Sequence, residues 1–341
     1  FTATEDKLVS FSGMTTLPAD WPAYARVANV GTDGTDVAVS GTTYTVKTAR
    51  GLAWIAWVTN NGKTTADADK TYSASYPPSE GFKDCTVTLA DDISLAKPAQ
   101  GVASGFEANW IPIGTYKGFD ARYYFQGTFD GGGHTITGMT ISSISVNYVG
   151  LFGYLYGATV KDLTMADEGN TQTINWETIP TSSGDANYYL GSVAGYMVNG
   201  KIINCHNRCA VSFSVSDERG SVGGIVGGIN ENSVVSACSN SGTITVSGST
   251  VMGGGIVGES AKSSIVSCFN TGDVSATGTT NTAYAGGIVG ESDTNGSSSN
   301  PSHISYCYST GDITAKTATT STSGGIVGGA QYLSLIHISE P

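Results

Sequence analysis

A short apolar motif bounded by small residues recurs through the second half of the chain and constrains the fold more than any other feature. Its copies begin at residues 150, 192, 224, 255, 287 and 325, at intervals of 42, 32, 31, 32 and 38 residues. Three nearly equal intervals indicate a structural repeat, and the two longer ones indicate loop insertions. The copies are Gly150–Gly153, Ser192–Gly195, Gly224–Gly227, Gly255–Gly258, Gly287–Gly290 and Gly325–Gly328.

A second block follows four of these copies, and each block begins with a cysteine. An aliphatic residue lies three positions before each cysteine, and another lies six positions after it. Together with the aliphatic residue of the Gly-bounded motif, these positions give the repeat about four apolar columns. The cysteines are Cys205, Cys238, Cys268 and Cys307.

The repeat unit is typical of strands and turns, because its segments are short, β-branched and separated by Gly, Asn, Ser and Thr. A unit of 31 residues cannot bury its apolar positions alone, but stacked copies align equivalent residues about 4.8 Å apart. We therefore predict an all-β parallel β-helix with aliphatic and cysteine columns inside and a turn ladder of Asn207, Asn240 and Asn270. A β-propeller is the alternative, but its blades usually need about 40 residues and four strands.

The region before the repeats contains one helical pattern. Leu52, Ile55 and Ala56 recur at helical spacing, Thr48 is a suitable N-cap, and Asn61-Gly62 is a suitable stop. We predict a helix over residues 49–60. Because an open β-helix end exposes strand edges and core, we expect this helix to act as its N-terminal cap.

These patterns divide the chain into four parts. Residues 1–43 form an N-terminal segment, read as the end of a preceding domain, and residues 44–126 form the cap with its helix and first strands. Residues 127–332 carry the repeats. Residues 333–341 resemble a translated sequencing adapter from a metagenomic assembly, and we exclude them, with His337, from functional reasoning.

The order of these elements resembles the GLUG-motif proteins of bacterial cell surfaces. The resemblance rests on Gly51-Leu52, on the segment 110–114 (Trp-Ile-Pro-Ile-Gly), on Phe129–His134 and on the Gly-bounded repeats. It implies an exported, right-handed parallel β-helix that serves as an adhesin-like or stalk segment of a larger protein. Some relatives carry a peptidase domain elsewhere. The repeat itself has no catalytic residue set, so the resemblance transfers none.

Charge and hydropathy narrow the possible partners. The net charge of −12 argues against nucleic acid, which needs a basic face. No apolar run approaches the roughly 18 residues of a membrane span. The low charged fraction, 13%, suits an exported protein, and we expect an extracellular or cell-surface location.

The chemistry-bearing residues do not form a recognisable catalytic motif. No His-Glu-x-x-His, paired Cys-x-x-Cys or Gly-x-Ser-x-Gly sequence is present. The cysteine spacing follows the repeat, so we expect a ladder of buried thiols, although a bridge involving Cys85 or Cys209 stays open. We therefore predict no enzyme activity and no cofactor.

Two groups of residues are candidate sites. Trp176, Tyr188 and Tyr189 lie in or beside the long insertion 165–188, where aromatic rings suit sugar stacking; a second insertion covers 292–302. The acidic residues Glu259, Glu291, Asp273 and Asp312 pair on neighbouring repeats. A Ca²⁺ ion would relieve the repulsion between such stacked charges, whereas solvated side chains that splay apart would need none.

The sequence thus predicts a non-catalytic, adhesin-like surface module that binds a glycan or a protein of a host or bacterial surface through its exposed faces and loops. Two alternatives stay open. One is a carbohydrate-active β-helix enzyme of the polysaccharide-lyase kind, which would need clustered acidic residues and a basic catalytic side chain. The other is an accessory region of a larger surface peptidase.

Overall fold

The computed structural model shows a chain that coils repeatedly through four β-sheets, which we number 1 to 4. It describes residues 21–26, 28–62, 80–95, 110–118, 120–141, 146–167, 173–176, 187–214, 218–293, 301–317, 319–330 and 336–337. Each full turn of the coil, or rung, passes through sheets 1, 2, 3 and 4 in order, and the Gly-bounded motif connects sheet 3 to sheet 4.

The strands are short; sheets 2, 3 and 4 take one from each of their rungs, whereas sheet 1 takes two from several rungs. The sixteen strands of sheet 1 are Val30–Gly31, Val37–Ser40, Thr43–Val46, Thr86–Leu89, Ile93–Ser94, Thr128–Asp130, Thr135–Thr137, Thr159–Ala166, Lys201–Asn207, Val234–Ser236, Ser239–Asn240, Ser264–Val266, Phe269–Asn270, His303–Ser305, Tyr308–Ser309 and Ile336–His337. Sheet 2 contains Thr173–Trp176, Ala210–Ser214, Ile244–Gly248, Val274–Gly278 and Ile313–Lys316. Sheet 3 contains Tyr148–Val149, Asn187–Gly191, Arg219–Gly223, Thr250–Gly254, Thr282–Gly286 and Thr320–Gly324. Sheet 4 contains Phe152–Tyr156, Ala194–Val198, Val226–Asn230, Val257–Ala261, Val289–Asp293 and Val327–Ala330.

The predicted parallel β-helix is confirmed. Among the described strands, one pair is antiparallel, the hairpin of Val37–Ser40 with Thr43–Val46, and the other pairings are parallel. Ile225, Ile256 and Ile288 are fully buried, and backbone hydrogen bonds run from each to the next rung. Because equivalent residues lie in register, the apolar columns form one continuous core. The right-handed coil stays a prediction.

The predicted asparagine ladder is present and fully buried. Each Asn side chain bonds the backbone two residues further on: Asn240 Nδ2 donates to Gly242 O at 2.8 Å, and Gly242 N donates to Asn240 Oδ1 at 3.2 Å. The remaining bonds run between rungs, since Asn207 donates to Asn240 at 2.7 Å and Asn240 to Asn270 at 2.8 Å. The ladder satisfies the turn's backbone groups where water cannot reach them.

The cysteine column is a ladder of free thiols. Cys205, Cys238, Cys268 and Cys307 are buried, as are Cys85 and Cys209, and all six are unbridged. Burial raises the pKa of the Cys238 thiol well above its usual value. A thiol with a raised pKa in an apolar core behaves as a small hydrophobe and reacts poorly.

The predicted cap helix spans Ala49–Asn60, with Thr48 as its N-cap. Among the described residues, a shorter helix spans Trp21–Arg26, and 3₁₀ turns lie at Glu80–Phe82 and Ala121–Tyr123. The cap helix buries Leu52 and Ile55 in the same hydrophobic core as the first strands. It therefore covers apolar surface at the N-terminal part of the stack.

A buried carboxylate anchors the start of this helix. Asp36 accepts hydrogen bonds from Thr48 Oγ1 at 2.6 Å and from Arg50 Nε at 3.0 Å, and both members of the Asp36–Arg50 pair are almost fully buried. Residues 30–40 thus join the same sheet and core as the cap. The proposed domain boundaries at residues 43, 126 and 332 stay predictions. Of residues 333–341, the structure describes 336–337, which pair with Ile304 and Ser305.

Within the described ranges, no helix combines the length and the apolar character needed to cross a bilayer.

The asparagine ladder offers a direct stability test. Asn240→Leu leaves the buried Gly242 amide and carbonyl, and both neighbouring Asn side chains, without their partner. We expect a loss of about 3 kcal/mol in unfolding free energy, because buried unsatisfied polar groups cost about 1–3 kcal/mol each. Urea unfolding followed by circular dichroism measures it. Thr245→Ala, at an exposed position on the same rung, is the control and should change stability by less than about 0.5 kcal/mol. Equal effects of both variants would contradict the ladder's role.

The thiols offer a second test. Ellman's reagent should modify almost no thiol in the folded chain, since buried thiols with raised pKa values supply little thiolate. In denaturant without a reductant, all six cysteines should react. A count of four in denaturant would reveal a disulfide and contradict the free-thiol column or the free Cys85 and Cys209.

Candidate ligand-binding groove

The Gly-bounded motif forms a corner at which backbone packs on backbone. A Cβ atom on Gly258 would lie 2.6 Å from the backbone nitrogen of Val222 on the preceding rung, and one on Gly227 would lie 2.4 Å from that of Leu190. No side chain fits such a space, which explains the glycine. Sheets 3 and 4 therefore meet tightly, and the outward side chains that flank the corner converge on each other.

Two outward columns line this corner along the length of the coil. Strand register gives the sheet 3 column as Tyr148, Tyr189, Ser221, Met252, Tyr284 and Thr322. The sheet 4 column is Tyr154, Tyr196, Gly228, Glu259, Glu291 and Gly329. The columns touch across the corner, since Tyr189 and Tyr196 have ring centroids 4.7 Å apart and Ser221 Oγ donates to Glu259 Oε2 at 3.1 Å.

Seven tyrosines gather at the N-terminal end of this corner, and we call them the tyrosine cleft. Neighbouring ring centroids lie 4.6–6.0 Å apart. Tyr116 and Tyr156 are 40% and 41% exposed and form the rim, whereas Tyr124, Tyr154 and Tyr189 are buried and form the floor. The cleft has a volume of about 520 Å³, and Asn187, Asn230 and Glu231 also line it. Its tyrosines are Tyr116, Tyr124, Tyr148, Tyr154, Tyr156, Tyr189 and Tyr196.

The cleft continues into cavities at both ends. Towards the cap helix it shares Tyr116 and Tyr148 with a cavity of about 830 Å³, the cap cavity, which Trp57 and Pro112 also line. In the other direction it shares Tyr189 and Tyr196 with a cavity of about 220 Å³, the carboxylate pocket. The three cavities follow one another along the corner, and together we call them the groove.

One guanidinium group joins two stacked glutamates in the carboxylate pocket. Arg219 Nη2 lies 3.1 Å from Glu259 Oε2 and 3.0 Å from Glu291 Oε2, and Glu291 is only 5% exposed. Burial alone would lower the pKa of Arg219, but the two carboxylates outweigh it and raise that pKa. The two carboxylates thus favour the charged form of the Arg219 guanidinium.

Burial also keeps the phenols of the cleft neutral. It raises the pKa of Tyr148 from 10.0 to about 12. It raises the pKa values of Tyr154, Tyr189 and Tyr196 further still, and the charge of Glu259 adds to the effect at Tyr189 and Tyr196. Neutral phenols both donate and accept hydrogen bonds, so the cleft offers aromatic rings together with polar hydroxyl groups.

The structure separates the aromatic residues that the sequence grouped. Tyr189 belongs to the tyrosine cleft, whereas Tyr188 is 3% exposed and packs against Phe213 in the core, with ring centroids 5.9 Å apart. The strand of Trp176 pairs with that of Phe213, but the Trp176 side chain lies outside the described part of the structure. Residues 168–172, 177–186 and 294–300 of the predicted contact loops also lie outside it.

Sequence reasoning missed six of the seven cleft tyrosines and Arg219. A signal was available for two of the six, since Tyr154 and Tyr196 directly follow the Gly-bounded motif, at the position where Glu259 and Glu291 were noticed. Tyr116 and Tyr124 come from a loop outside the repeat, and Arg219 is 40 residues from Glu259. Only the folded corner brings these residues together.

The two acidic pairs considered as calcium sites are arranged differently in the structure. Glu259 and Glu291 are direct neighbours between rungs, and Arg219 already supplies a positive charge to both. At the turn between sheets 1 and 2, Asp312 N donates a hydrogen bond to Asp273 Oδ1 at 2.9 Å. Within the described residues, groups of three or more potential His, Cys, Asp or Glu ligands do not occur. Calcium binding at either pair stays an untested hypothesis.

Comparison with known proteins supports the repeat and the fold. The family model described as the GLUG motif matches residues 281–314, which include the corner at Gly287–Gly290 and Cys307. No curated protein matches the chain. A solved structure, a "putative immunoglobulin A1 protease" from Bacteroides ovatus, is 17% identical with a TM-score of 0.51 over 94% of this chain and 91% of that one. At this identity the likeness is one of fold.

The raised phenol pKa values predict that the tyrosines of the folded chain ionise in two phases, an early one and a late one. In the folded chain, Tyr148, Tyr154, Tyr189 and Tyr196 should stay protonated to about pH 11, whereas in urea the 17 tyrosines should ionise near pH 10. Tyrosinate absorbance measures both phases. Above pH 10 the unfolded chain therefore holds fewer protons than the folded chain, and stability should fall as pH rises towards 12.

Matched variants assign the late phase of this titration. Tyr189→Phe should remove one late-titrating phenol, whereas Tyr306→Phe, at a position 65% exposed outside the cleft, should leave the late phase unchanged. A single transition of all tyrosines near pH 10 in the folded protein would contradict the buried cleft.

Proposed function

We propose that this chain is a non-catalytic module of an exported bacterial surface protein, which binds a glycan or a surface protein through its exposed faces. The tyrosine cleft carries this proposal. Seven tyrosines gathered on an outer face, two of them 40% exposed or more, are far more than a β-helix needs to close its core. Clustered aromatic side chains with polar tips are typical of recognition surfaces.

The stacked rungs provide a rigid support for the binding surface. From Thr159 to Ala330 successive rungs are hydrogen-bonded through four sheets, so the outward columns there are held at fixed spacing. A rigid platform lowers the entropy cost of binding, because few side chains have to be ordered. The GLUG motif at residues 281–314 supports an extracellular location for such a module.

The charges of the groove support a non-catalytic function. A glycosidase uses two carboxyl groups that flank the scissile bond, whereas Glu259 and Glu291 are stacked side by side and both pair with the same nitrogen of Arg219. A polysaccharide lyase needs a base, and the raised pKa of Arg219 makes its guanidinium a poor one. These observations favour binding without turnover.

The fold similarity supports a second candidate function, an accessory region of a larger surface peptidase. The Bacteroides ovatus protein that shares the fold carries a protease name. In this reading the β-helix would present the substrate or hold the peptidase at the cell surface. Recovery of the full-length gene tests it, since this reading expects a peptidase domain in the same open reading frame.

The binding function is tested by measuring both binding and turnover on one panel of immobilised glycans and surface proteins. The chain should bind at least one immobilised glycan or surface protein, with no release of reducing ends or unsaturated sugars from any polysaccharide, because the two stacked glutamates of the groove are paired with Arg219 and its guanidinium is a poor base. Biolayer interferometry and chromatography of the supernatant give the two readouts. Time-dependent release of unsaturated products would contradict the proposal. So would the absence of binding to all members of the panel.

A further inference from the structure

The groove at the corner of sheets 3 and 4 is elongated, which restricts what it can hold. Its three cavities are joined in line by shared lining residues, Tyr116 and Tyr148 at one junction and Tyr189 and Tyr196 at the other. From the rung of Tyr148 to that of Glu259 there are three rung steps, or about 14 Å. A groove of this length suits a polymer better than a single small molecule.

The groove lining combines ring surfaces with hydrogen-bonding groups at close intervals. The rings of Tyr116 and Tyr156 are open to solvent, and the amides of Asn187 and Asn230 lie beside them. A carbohydrate presents the matching chemistry, since its C–H faces pack on aromatic rings and its hydroxyl groups pair with amides, phenols and carboxylates. A purely apolar partner would leave these polar groups unpaired.

The charged side chains that line the groove discriminate between neutral and acidic carbohydrates. Glu231 lines the cleft, and in the adjoining carboxylate pocket Arg219 is already paired with Glu259 and with the buried Glu291 behind it. An acidic polymer would place its carboxylates or sulfates against these side chains, with the positive Arg26 and Lys117 only at the cap-helix end. Like charges at close range are unfavourable, so the lining favours an uncharged chain.

The sheet geometry disfavours an extended peptide as the occupant. Peptides that bind to β-structures usually add a strand to a free sheet edge. Along the corner, the strands that carry Tyr189 and Tyr196 are each paired on both sides, as are those of Ser221 and Gly228. From the rung of Tyr189 to that of Gly228 the groove thus offers side chains to a ligand, whereas the terminal strand of sheet 3, Tyr148–Val149, lies at its cap-helix end.

We propose that the tyrosine cleft and the adjoining carboxylate pocket form a binding site for a neutral polysaccharide, whose chain lies along the β-helix axis. Tyr116 and Tyr156 pack on sugar rings at the rim, Asn187 and Asn230 bond sugar hydroxyls, and Glu259 accepts a hydroxyl hydrogen bond at the far end. This site rests on the proposed binding function and names its ligand class.

Isothermal titration of the whole chain with defined oligosaccharides tests the site. The panel contains neutral glucan, mannan, xylan and galactan oligomers beside the acidic oligogalacturonate. At least one neutral series should bind, with affinity that rises with chain length because a longer chain reaches more of the groove. Oligogalacturonate should bind at least about tenfold more weakly.

Rim variants locate the ligand without disturbing the core. Tyr116→Ala and Tyr156→Ala should each lower affinity by about tenfold, the size expected for one aromatic contact. Tyr306→Ala is the matched control, since Tyr306 is 65% exposed and lies outside the groove, and it should bind like the parent chain. Circular dichroism melting curves confirm that all three variants fold.

The outcomes separate this site from the broader function. Absence of binding to every neutral polymer, preference for oligogalacturonate, or rim variants that bind like the parent chain would overturn the polysaccharide site. Binding to a surface protein together with no binding to any neutral polymer would overturn the polysaccharide site while leaving the proposed binding function intact.

Discussion

The whole structure depends on the in-register stacking of equivalent residues from one rung to the next. Stacking buries Ile225, Ile256 and Ile288 in one column and joins Asn207, Asn240 and Asn270 in another. Each rung would expose its apolar positions if it stood alone, so the favourable burial arises only between neighbours. The asparagines matter for a different reason, because they satisfy backbone groups that the tight turn leaves without strand partners.

The same stacking creates the groove as a consequence of how the corner is built. Glycine allows the backbones of adjacent rungs to pack directly at the corner, and the flanking outward columns then converge. What fills the groove changes along the axis, from tyrosine rings to glycine and then to the Arg219–Glu259–Glu291 cluster. Constant backbone geometry combined with variable outward residues is how a repeat fold acquires a local site without losing its core.

The sequence predicted those parts of the structure that repeat, and it missed the parts that do not. The cysteine and asparagine columns and the helix Ala49–Asn60 follow from periodicity, because burial imposes the same residue type at each recurrence. The groove could not be predicted from the repeat pattern, because the residue types at outward positions are free to vary. Tyr188 and Tyr189 illustrate the limit: neighbouring residues of a strand point to opposite faces, so a shift of one residue separates a core side chain from a cleft side chain.

Distances between spin labels along one outward column test the stacking most directly. Ser212, Thr245, Ser275 and Thr314 are successive neighbours in sheet 2, and the buried native cysteines leave introduced thiols as the reactive ones. Nitroxide pairs at 245/275, 245/314 and 212/314, placed by Cys substitution, should be separated by about 5, 10 and 14 Å in electron paramagnetic resonance. Separations that do not increase with the number of rungs would contradict the stacked β-helix.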